Sequence, residues 1–262
     1  MTPLGWVFVV LRLIVLLALI VPGVVLSLIL YLIERTFCEG RRPLTAQLQH
    51  WAIWAGLHVL GLRYRREGHP MRELGAVVAN HASWMDIFAL GAGQAVTFVS
   101  KAEVARWPGI GFLARLVGTV FISRDPRQAG HQRAQLRAEL DAGRKLLFFP
   151  EGTSTDGMRV LPFKSSLFAA FAGMHEDLCI QPVTVVYIAP DGVPEPRFYG
   201  WWGDMELGSH MLQVLSRFPQ GGVRVIYHPP VRIGDFPDRK ALARRLEETV
   251  RSAMPPEAAL PG

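Results

Sequence analysis

A long apolar segment near the amino terminus constrains the fold of this chain more than any other sequence feature. Leu13–Ile33 is 21 residues without a formal charge, and only Arg12 interrupts the apolar run back to Leu4. At a helical rise of about 1.5 Å per residue, the segment extends roughly 30 Å, the thickness of a bilayer core. It also accounts for a positive mean hydropathy, +0.22, in a chain whose charged fraction is 19%. The sequence therefore predicts a membrane anchor at this end of the chain.

The residues around this segment favour a retained anchor over a cleaved signal peptide. A signal peptide has a shorter apolar region followed by small residues at the cleavage site, whereas this segment runs into Tyr31-Leu-Ile-Glu-Arg35. Pro22-Gly23 lies in its middle and leaves two structures open. Either it kinks one spanning helix, or it turns the chain between two half-length helices within one leaflet.

Basic residues predict on which side of the membrane the rest of the chain lies. Arg12 precedes the segment, and six arginines follow it: Arg35, Arg41, Arg42, Arg63, Arg65 and Arg66. If the segment spans, the positive-inside rule places the following domain in the cytoplasm, at the inner (cytoplasmic) membrane. Gln47–Leu60, with Trp51 and Trp54 on one face, predicts an amphipathic helix that lies at the membrane interface or packs on the domain. We assign residues 1–60 to the anchor.

The charge of the chain bears on its partners. A formal charge of +6 and a pI near 9.7 suit an anionic membrane surface. The basic residues are scattered and match no zinc-finger, helix-turn-helix or RNA-binding pattern, so we expect no nucleic acid partner. Cys38 and Cys179 lack metal-ligand spacing and cannot form a disulfide framework, so we expect no metal centre built on them.

From Gly61 onward, short β-rich runs alternate with helical stretches, which predicts an α/β domain over residues 61–254 and a flexible tail over residues 255–262. The predicted strands are Leu62–Arg66, Gly75–Ala79, Val96–Ser100, Thr119–Ser123, Lys145–Phe149, Ile180–Tyr187 and Val223–Tyr227. The predicted helices are Trp84–Ala92, Pro108–Val117, Ala129–Ala142, Ser165–Ala172, Gly208–Phe218 and Arg239–Ala253. Because the strands are apolar on both faces, we expect a mostly parallel sheet flanked by helices, with working residues beyond its carboxyl edge.

The first polar site at such an edge is Asn80-His81-Ala-Ser-Trp-Met-Asp86, directly after the strand Gly75–Ala79. Asp86 is placed to accept a hydrogen bond from one ring nitrogen of His81, leaving the other to take a proton from a hydroxyl. Ser83 offers a competing interpretation, because Ser-x-x-Asp is a capping box and Asp86 would then only cap the following helix. The spacing alone leaves both interpretations open.

Three further polar positions follow predicted strands. In Phe149-Pro-Glu-Gly-Thr-Ser154, a turn explains the proline and glycine but not why Glu151 follows an apolar strand so closely. Arg124 ends the segment that begins at Gly118, and Lys101 follows another strand directly. Either cation suits a phosphate or a carboxylate, and a surface ion pair explains either one equally well.

Other enzyme classes fit the sequence poorly. The Gly-x-Ser-x-Gly elbow of a serine hydrolase is absent. Gly109-Ile-Gly-Phe-Leu-Ala114 matches a dinucleotide fingerprint by its letters, but it follows Arg106-Trp-Pro instead of a strand. A zinc enzyme needs more ligands than His81 and Asp86 supply. A non-enzymatic membrane-bound lipid carrier or scaffold is the remaining alternative, although a carrier has no need of a base.

Taken together, four blocks in this order resemble the motifs of the lysophosphatidic acid acyltransferase family of the bacterial PlsC type. The blocks are Asn80-His81-x4-Asp86, Gly118-x2-Phe121-Ile122-x-Arg124, Phe149-Pro150-Glu151-Gly152-Thr153 and Gln181-Pro182-Val183. The resemblance covers residues 61–187, and the apolar amino terminus also fits. It implies an enzyme of membrane lipid biosynthesis that moves a fatty acyl group from acyl carrier protein or a coenzyme A thioester to a lysolipid hydroxyl. It implies no metal, no prosthetic group and no acyl-enzyme.

The resemblance also implies roles for individual residues. His81 is the general base and Asp86 its orienting partner, while Pro182 and its strand line the acyl side. The residues implied to bind or shape the acceptor head-group site are Lys101, Arg124, Glu151, Gly152 and Thr153.

One departure from the family pattern concerns the acceptor. Many members that use lysophosphatidate have an arginine after Glu-Gly-Thr, whereas Ser154-Thr-Asp-Gly157 follows here. With Trp201-Trp-Gly-Asp-Met205 further on, this stretch is more similar to the branch that acylates lyso-ornithine lipid. We therefore expect lyso-ornithine lipid, lysophosphatidate or both as acceptors, with Asp156 placed to receive the ornithine ammonium.

Overall fold

The computed structural model describes residues 2–38, 42–123, 125–171 and 177–255. Over these residues the helices are α1 (Pro3–Phe37), α2 (Pro43–Leu60), α3 (Asp86–Gly91), α4 (Ile110–Leu116), α5 (Ala129–Asp141), α6 (Leu207–Ser216) and α7 (Arg239–Ser252). The strands are β1 (Arg63–Glu67), β2 (Gly75–Ala79), β3 (Thr97–Lys101), β4 (Val120–Ile122), β5 (Leu146–Phe148), β6 (Cys179–Ile188), β7 (Gly222–Tyr227) and β8 (Val231–Arg232). Arg124 and residues 256–262 of the tail lie outside the described residues.

The strands form one mixed sheet in the order β1-β7-β6-β2-β5-β3-β4, with β8 paired to β6. Neighbours from β6 to β4 run parallel, so five strands end at the same edge. β7 is antiparallel to β6, and β1 is parallel to β7. The predicted mostly parallel α/β sheet is confirmed, and its common carboxyl edge receives the loops after β2, β3, β4 and β5.

Alternating side chains of the central strand β2 divide the core into two layers. Val77 and Ala79 face a cluster that contains Leu57 of α2 and Leu215 of α6. Ala76 and Val78 face the opposite cluster, which contains Leu136 and Leu140 of α5 and Leu242 and Leu246 of α7. All five residues of β2 are buried, which explains its run of small and β-branched side chains.

Predicted and observed element bounds differ mainly at helix ends. The helix predicted over Ser165–Ala172 is a 3-10 helix over Ser165–Phe171, and Ala172 lies outside the described residues. α2 begins at Pro43, four residues before the predicted start. The cause is Glu34, which is buried and accepts hydrogen bonds from the Leu44 and Thr45 backbone N–H groups and the Thr45 hydroxyl. These contacts satisfy N–H groups of the first turn that otherwise have no partner.

The apolar segment is one continuous helix, α1, with Pro22 inside it. Thr2 caps its amino end by accepting a hydrogen bond from the Gly5 N–H at 3.1 Å. Of the two structures that Pro22-Gly23 leaves open, the structure has the single helix. The most apolar 18-residue window of α1 has a mean hydropathy of 3.1, and none of it is buried by the described part of the chain.

α1 contacts the α/β domain near its amino end and the start of α2 near its carboxyl end. Near the amino end, the Arg12 guanidinium donates to the carbonyls of Leu215 and Arg217 at 2.6 and 2.8 Å, at the carboxyl end of α6. Near the carboxyl end, the Tyr31 ring lies 4.5 Å from the guanidinium of Arg42, which reaches towards Gly118 before β4. α1 also packs along α2. The helix therefore lies along the surface of the domain.

Candidate active site

The loop after β2 brings His81 and Asp86 together at the carboxyl edge of the sheet. His81 Nδ1 lies 2.7 Å from Asp86 Oδ2, and the Asp86 side chain is fully buried. Since a carboxylate only accepts, Nδ1 carries the ring proton and Nε2 is left as an acceptor. The His81 side chain remains 22% exposed and stacks on Phe149, with ring centroids 4.0 Å apart. This geometry provides a fixed, reachable base.

The Asp86 carboxylate accepts four hydrogen bonds. Oδ2 accepts from the backbone N–H groups of Ala82 and Ser83 at 2.8 and 3.0 Å, in addition to His81. Oδ1 accepts from the Tyr187 hydroxyl at 2.8 Å. Asp86 therefore caps this loop and orients His81 at the same time. The buried Ser83 hydroxyl has no hydrogen-bond partner among the described residues, so the reciprocal half of a capping box is not formed.

Asn80 attaches this loop to β6. Its side-chain amide donates to the Val185 carbonyl at 2.9 Å, and its side-chain oxygen accepts from the Val185 N–H at 2.8 Å. The β2–β6 ladder ends at Ala79 and Val183, so the Asn80 side chain continues the strand pairing where the backbone leaves the sheet. These two hydrogen bonds therefore fix the backbone directly before His81.

Glu151 joins the loops after β2 and β5. Oε1 accepts from the His81 backbone N–H, and Oε2 from the Leu161 N–H, both at 2.7 Å. Burial raises the pKa of Glu151 to about 7, a rise that these two hydrogen bonds oppose and the nearby Asp86 charge reinforces. Both carboxylate oxygens accept backbone N–H groups, so Glu151 shapes the site by fixing the segments that contain His81 and Leu161.

The residues after Glu151 divide into a buried and an exposed group. Thr155 donates to the His81 carbonyl through its N–H at 2.8 Å and its hydroxyl at 3.1 Å. Thr153 is exposed, and Gly152 has a φ of +71°. A Cβ at Gly152 would lie 2.7 Å from Lys164 Nζ, so this glycine allows a cation to approach the loop. Lys164 was not predictable as a neighbour of this loop, because it lies 13 positions beyond Glu151 in an irregular segment.

Asp156 is buried and already has partners. Its carboxylate oxygens lie 3.7 Å from Arg159 Nε and 3.8 Å from Arg197 Nε, and Oδ1 accepts from the Met158 N–H at 3.1 Å. The two arginine side chains are 59% and 50% exposed, whereas Asp156 is only 9% exposed. The acid thus holds two outward-facing cations, an arrangement that the sequence analysis did not predict.

The remaining predicted residues occupy different levels of the sheet. Lys101 is the exposed last residue of β3, at the same edge as His81. Arg124, predicted to bind the acceptor head group, lies outside the described residues. Pro182 is buried within β6, paired in register with Val78, and its carbonyl accepts from the His228 N–H at 3.1 Å.

Known proteins are similar to this chain over most of its length. The acyltransferase family model matches residues 56–186. A lyso-ornithine lipid O-acyltransferase of Rhodobacter capsulatus is 53% identical over 237 residues, which cover 90% of this chain and 86% of that protein. A 1-acyl-sn-glycerol-3-phosphate acyltransferase of Neisseria meningitidis is 30% identical over 191 residues, 72% of each chain. The crystal structure of the PlsC acyltransferase from Thermotoga maritima has a TM-score of 0.59 and 22% identity, covering 93% of this chain and 96% of that one.

A histidine held by a buried carboxylate at the open edge of a parallel sheet is an arrangement that can take a proton from a hydroxyl. The family match and the relatives specify the reaction class. This chain belongs to the acyltransferase family. The resemblance drawn from the four motif blocks is thereby confirmed.

Proposed function

We propose that this acyltransferase esterifies a lysolipid hydroxyl in membrane lipid biosynthesis, with lyso-ornithine lipid as its main acceptor. The acceptor assignment rests on similarity: proteins named lyso-ornithine lipid O-acyltransferase match at 53% and 36% identity over about nine-tenths of this chain. The relative named for 1-acyl-sn-glycerol-3-phosphate matches at 30% over 72%. The observation that carries the chemistry is the contact of 2.7 Å between His81 and the buried Asp86.

In the proposed reaction, His81 Nε2 takes the proton of the lysolipid hydroxyl as that oxygen attacks the thioester carbonyl. Asp86 stabilises the imidazolium that forms and keeps Nδ1 protonated. The tetrahedral intermediate then collapses and the carbon–sulfur bond breaks. The leaving thiolate takes from Nε2 the proton that came from the hydroxyl. The products are the ester and the free thiol. The donor is acyl carrier protein or coenzyme A carrying a fatty acyl thioester, and no step needs a metal or prosthetic group.

Exposed cations near His81 are proposed to bind the anionic group of the acceptor. We call Lys101, Arg159, Lys164 and Arg197 the cationic rim; all four are exposed. Arg124 is proposed to join them, since the motif Gly118-x2-Phe121-Ile122-x-Arg124 assigns it to the acceptor head group. Because Asp156 is paired with Arg159 and Arg197, we propose that it influences acceptor choice by holding these arginines, and receives the ornithine ammonium only when one of them swings away.

A competition assay tests this function. Purified protein receives equal amounts of lyso-ornithine lipid and lysophosphatidate, with either acyl-carrier-protein or coenzyme A thioester as donor, and both products are quantified. We expect ornithine lipid to dominate. Absence of ornithine lipid, with phosphatidate formed, would reassign the acceptor; absence of both with either donor would reject the proposed reaction.

For membrane attachment, we propose that α1 lies within one leaflet on the cytoplasmic side instead of spanning the bilayer. A spanning helix would place its amino end on the far side of the membrane from the domain, whereas Arg12 and Phe8 hold that end on the end of α6 and on Phe218. Trp51 and Trp54 of α2 are exposed, as are Trp107 and Phe112 around α4, which packs on α1. Aromatic side chains of this kind suit the bilayer interface.

Cysteine labelling distinguishes these topologies. Leu4→Cys and Phe37→Cys, made separately with Cys38→Ser and Cys179→Ala, place a thiol at each end of α1, where both side chains are exposed. We expect a membrane-impermeant maleimide to label both positions in inverted membrane vesicles and neither in intact spheroplasts. Labelling of one position from each side would show that α1 spans.

A further inference from the structure

Among the described residues, Tyr187 is the one hydrogen-bond partner of the Asp86 carboxylate that comes from outside the β2–α3 loop. Three donors to Oδ2 belong to residues 81–83, so they move with the loop. The Tyr187 hydroxyl instead reaches Oδ1 from β6, at 2.8 Å. It therefore fixes the position of the carboxylate relative to the sheet.

We infer that Tyr187 is a positioning residue that sets both the orientation and the hydrogen-bond strength of Asp86 towards His81. This inference rests on the proposed role of His81 as the base. The strand geometry supports it, because Val185 of the same strand binds the Asn80 side chain and Tyr187 lies two residues further on the same face. The end of β6 thus binds both Asn80, at the start of the β2–α3 loop, and the Asp86 carboxylate.

The Tyr187 hydroxyl is suited to donate at every working pH. Burial and the adjacent Asp86 charge raise the pKa of Tyr187 well above its ordinary value of 10, so the hydroxyl keeps its proton. The other titratable groups near the pair are Glu151, on the loop after β5, and Tyr199, whose ring centroid lies 5.6 Å from that of Tyr187. Burial also raises the pKa of Tyr199, to about 12, so it is neutral too.

Removing this donor has a predictable direction. In Tyr187→Phe, Oδ1 loses its hydrogen bond, so the carboxylate charge is less compensated and attracts the His81 imidazolium more strongly. The base then needs a higher pH to lose its proton, and the acid limb of the kcat/KM profile moves to higher pH. The freed carboxylate also orients the ring less well, so kcat falls about ten-fold, a usual effect of losing an outer hydrogen bond.

Tyr199→Phe is the matched control. Its hydroxyl donates to Gln220 Oε1 at 2.6 Å and accepts from the Gly221 N–H at 2.8 Å, but it does not contact Asp86. The test compares the native protein, Tyr187→Phe and Tyr199→Phe in melting temperature, kcat, KM for both substrates and the pH profile of kcat/KM. An NMR titration of the His81 ring accompanies these measurements. Tyr187→Phe should lower kcat with KM changed less than about two-fold and shift both titrations upward, whereas Tyr199→Phe should lower stability without shifting either.

Two outcomes overturn the inference: kcat within two-fold of the native value with an unchanged pH profile, or equal shifts in both variants. If Tyr187→Phe does not fold, 3-fluorotyrosine at position 187 keeps the ring and strengthens the donor, and the acid limb should move to lower pH. An unchanged profile there would equally reject the role. Failure of the proposed function is separate, because it would appear as an active His81→Ala protein.

Discussion

The buried polar residues around His81 and the exposed cationic rim lie at the same edge of the sheet and are held in place in different ways. Asn80, Asp86, Glu151 and Thr155 are buried, and their hydrogen bonds measure 2.7 to 3.3 Å. The rim side chains are exposed, and the ion pairs of Arg159 and Arg197 with Asp156 measure 3.7 and 3.8 Å. Buried, fully bonded groups have one geometry, whereas exposed cations rearrange at little cost. Substitutions of the buried residues around His81 should therefore change the reaction rate, and substitutions in the cationic rim should change acceptor preference.

The largest expected effect in this comparison comes from His81→Ala. Without the base, kcat should fall by roughly two to four orders of magnitude while the fold persists, since the His81 side chain is partly exposed and its backbone contacts remain. His131→Ala, an exposed histidine on α5, is the control. A folded His81→Ala protein with more than about a tenth of native activity would contradict base catalysis by this residue.

Asp86→Asn is expected to have the next largest effect. The amide keeps the size of the side chain, but it cannot stabilise an imidazolium, and it brings an N–H group towards other donors. We expect kcat to fall about a hundred-fold. Because Asp86 also binds the Ala82 and Ser83 N–H groups and Tyr187, the melting temperature should fall as well, by the equivalent of about 1 to 3 kcal/mol. A stability loss with unchanged turnover would reduce Asp86 to a cap.

Glu151→Gln tests the buried residues around His81 through the pH dependence of protein stability. The folded-state pKa of Glu151, about 7, lies above its ordinary value of 4.5, so protonation favours the folded protein. That stabilisation is fully present below pH 4.5 and is lost as the pH rises through 7, at most about 3 kcal/mol. Chemical unfolding at pH 5 and pH 8 should show this loss in the native protein and a flatter profile in Glu151→Gln.

Glu247→Gln is the control for that measurement, since Glu247 accepts the Phe163 N–H at 2.9 Å from a more exposed position. Its stability should depend on pH as in the native protein. Equal slopes for native protein and Glu151→Gln would show that Glu151 does not titrate in this range.

Local patterns predicted most of the fold. β2, β5 and β6 are apolar runs bounded by glycine, proline or polar residues, and their observed ends fall within one residue of the predicted ones. The course of α1 was not predictable from Pro22-Gly23, because it depends on packing. Arg12 binds α6, about 200 residues away, and Glu34 caps α2. These contacts hold one helix where the local sequence permits a turn.

The candidate site divides in the same way. The His81–Asp86 contact was predictable because the two residues are only five positions apart in the chain. The contact of Tyr187 with Asp86 joins residues 101 positions apart through the β2–β6 pairing, and sequence spacing carries no information about it. Arg197 reaches Asp156 across a similarly non-local connection. The charge departure at Asp156 was visible in the sequence, but its pairing partners were not.

Asp156→Arg should have the smallest effect on total activity and tests the rim directly. The substitution removes the acid between Arg159 and Arg197 and adds a third cation, so a phosphate with up to two negative charges should gain relative to the zwitterionic ornithine head group. We expect the product ratio in the competition assay to move towards phosphatidate by about ten- to thirty-fold, with total turnover reduced less than ten-fold. Asp156→Asn, which releases the arginines without adding charge, should shift the ratio in the same direction but less. If both variants keep the native ratio, Asp156 and its arginines do not contact the head group, and acceptor choice belongs to Lys101, Lys164 or Arg124.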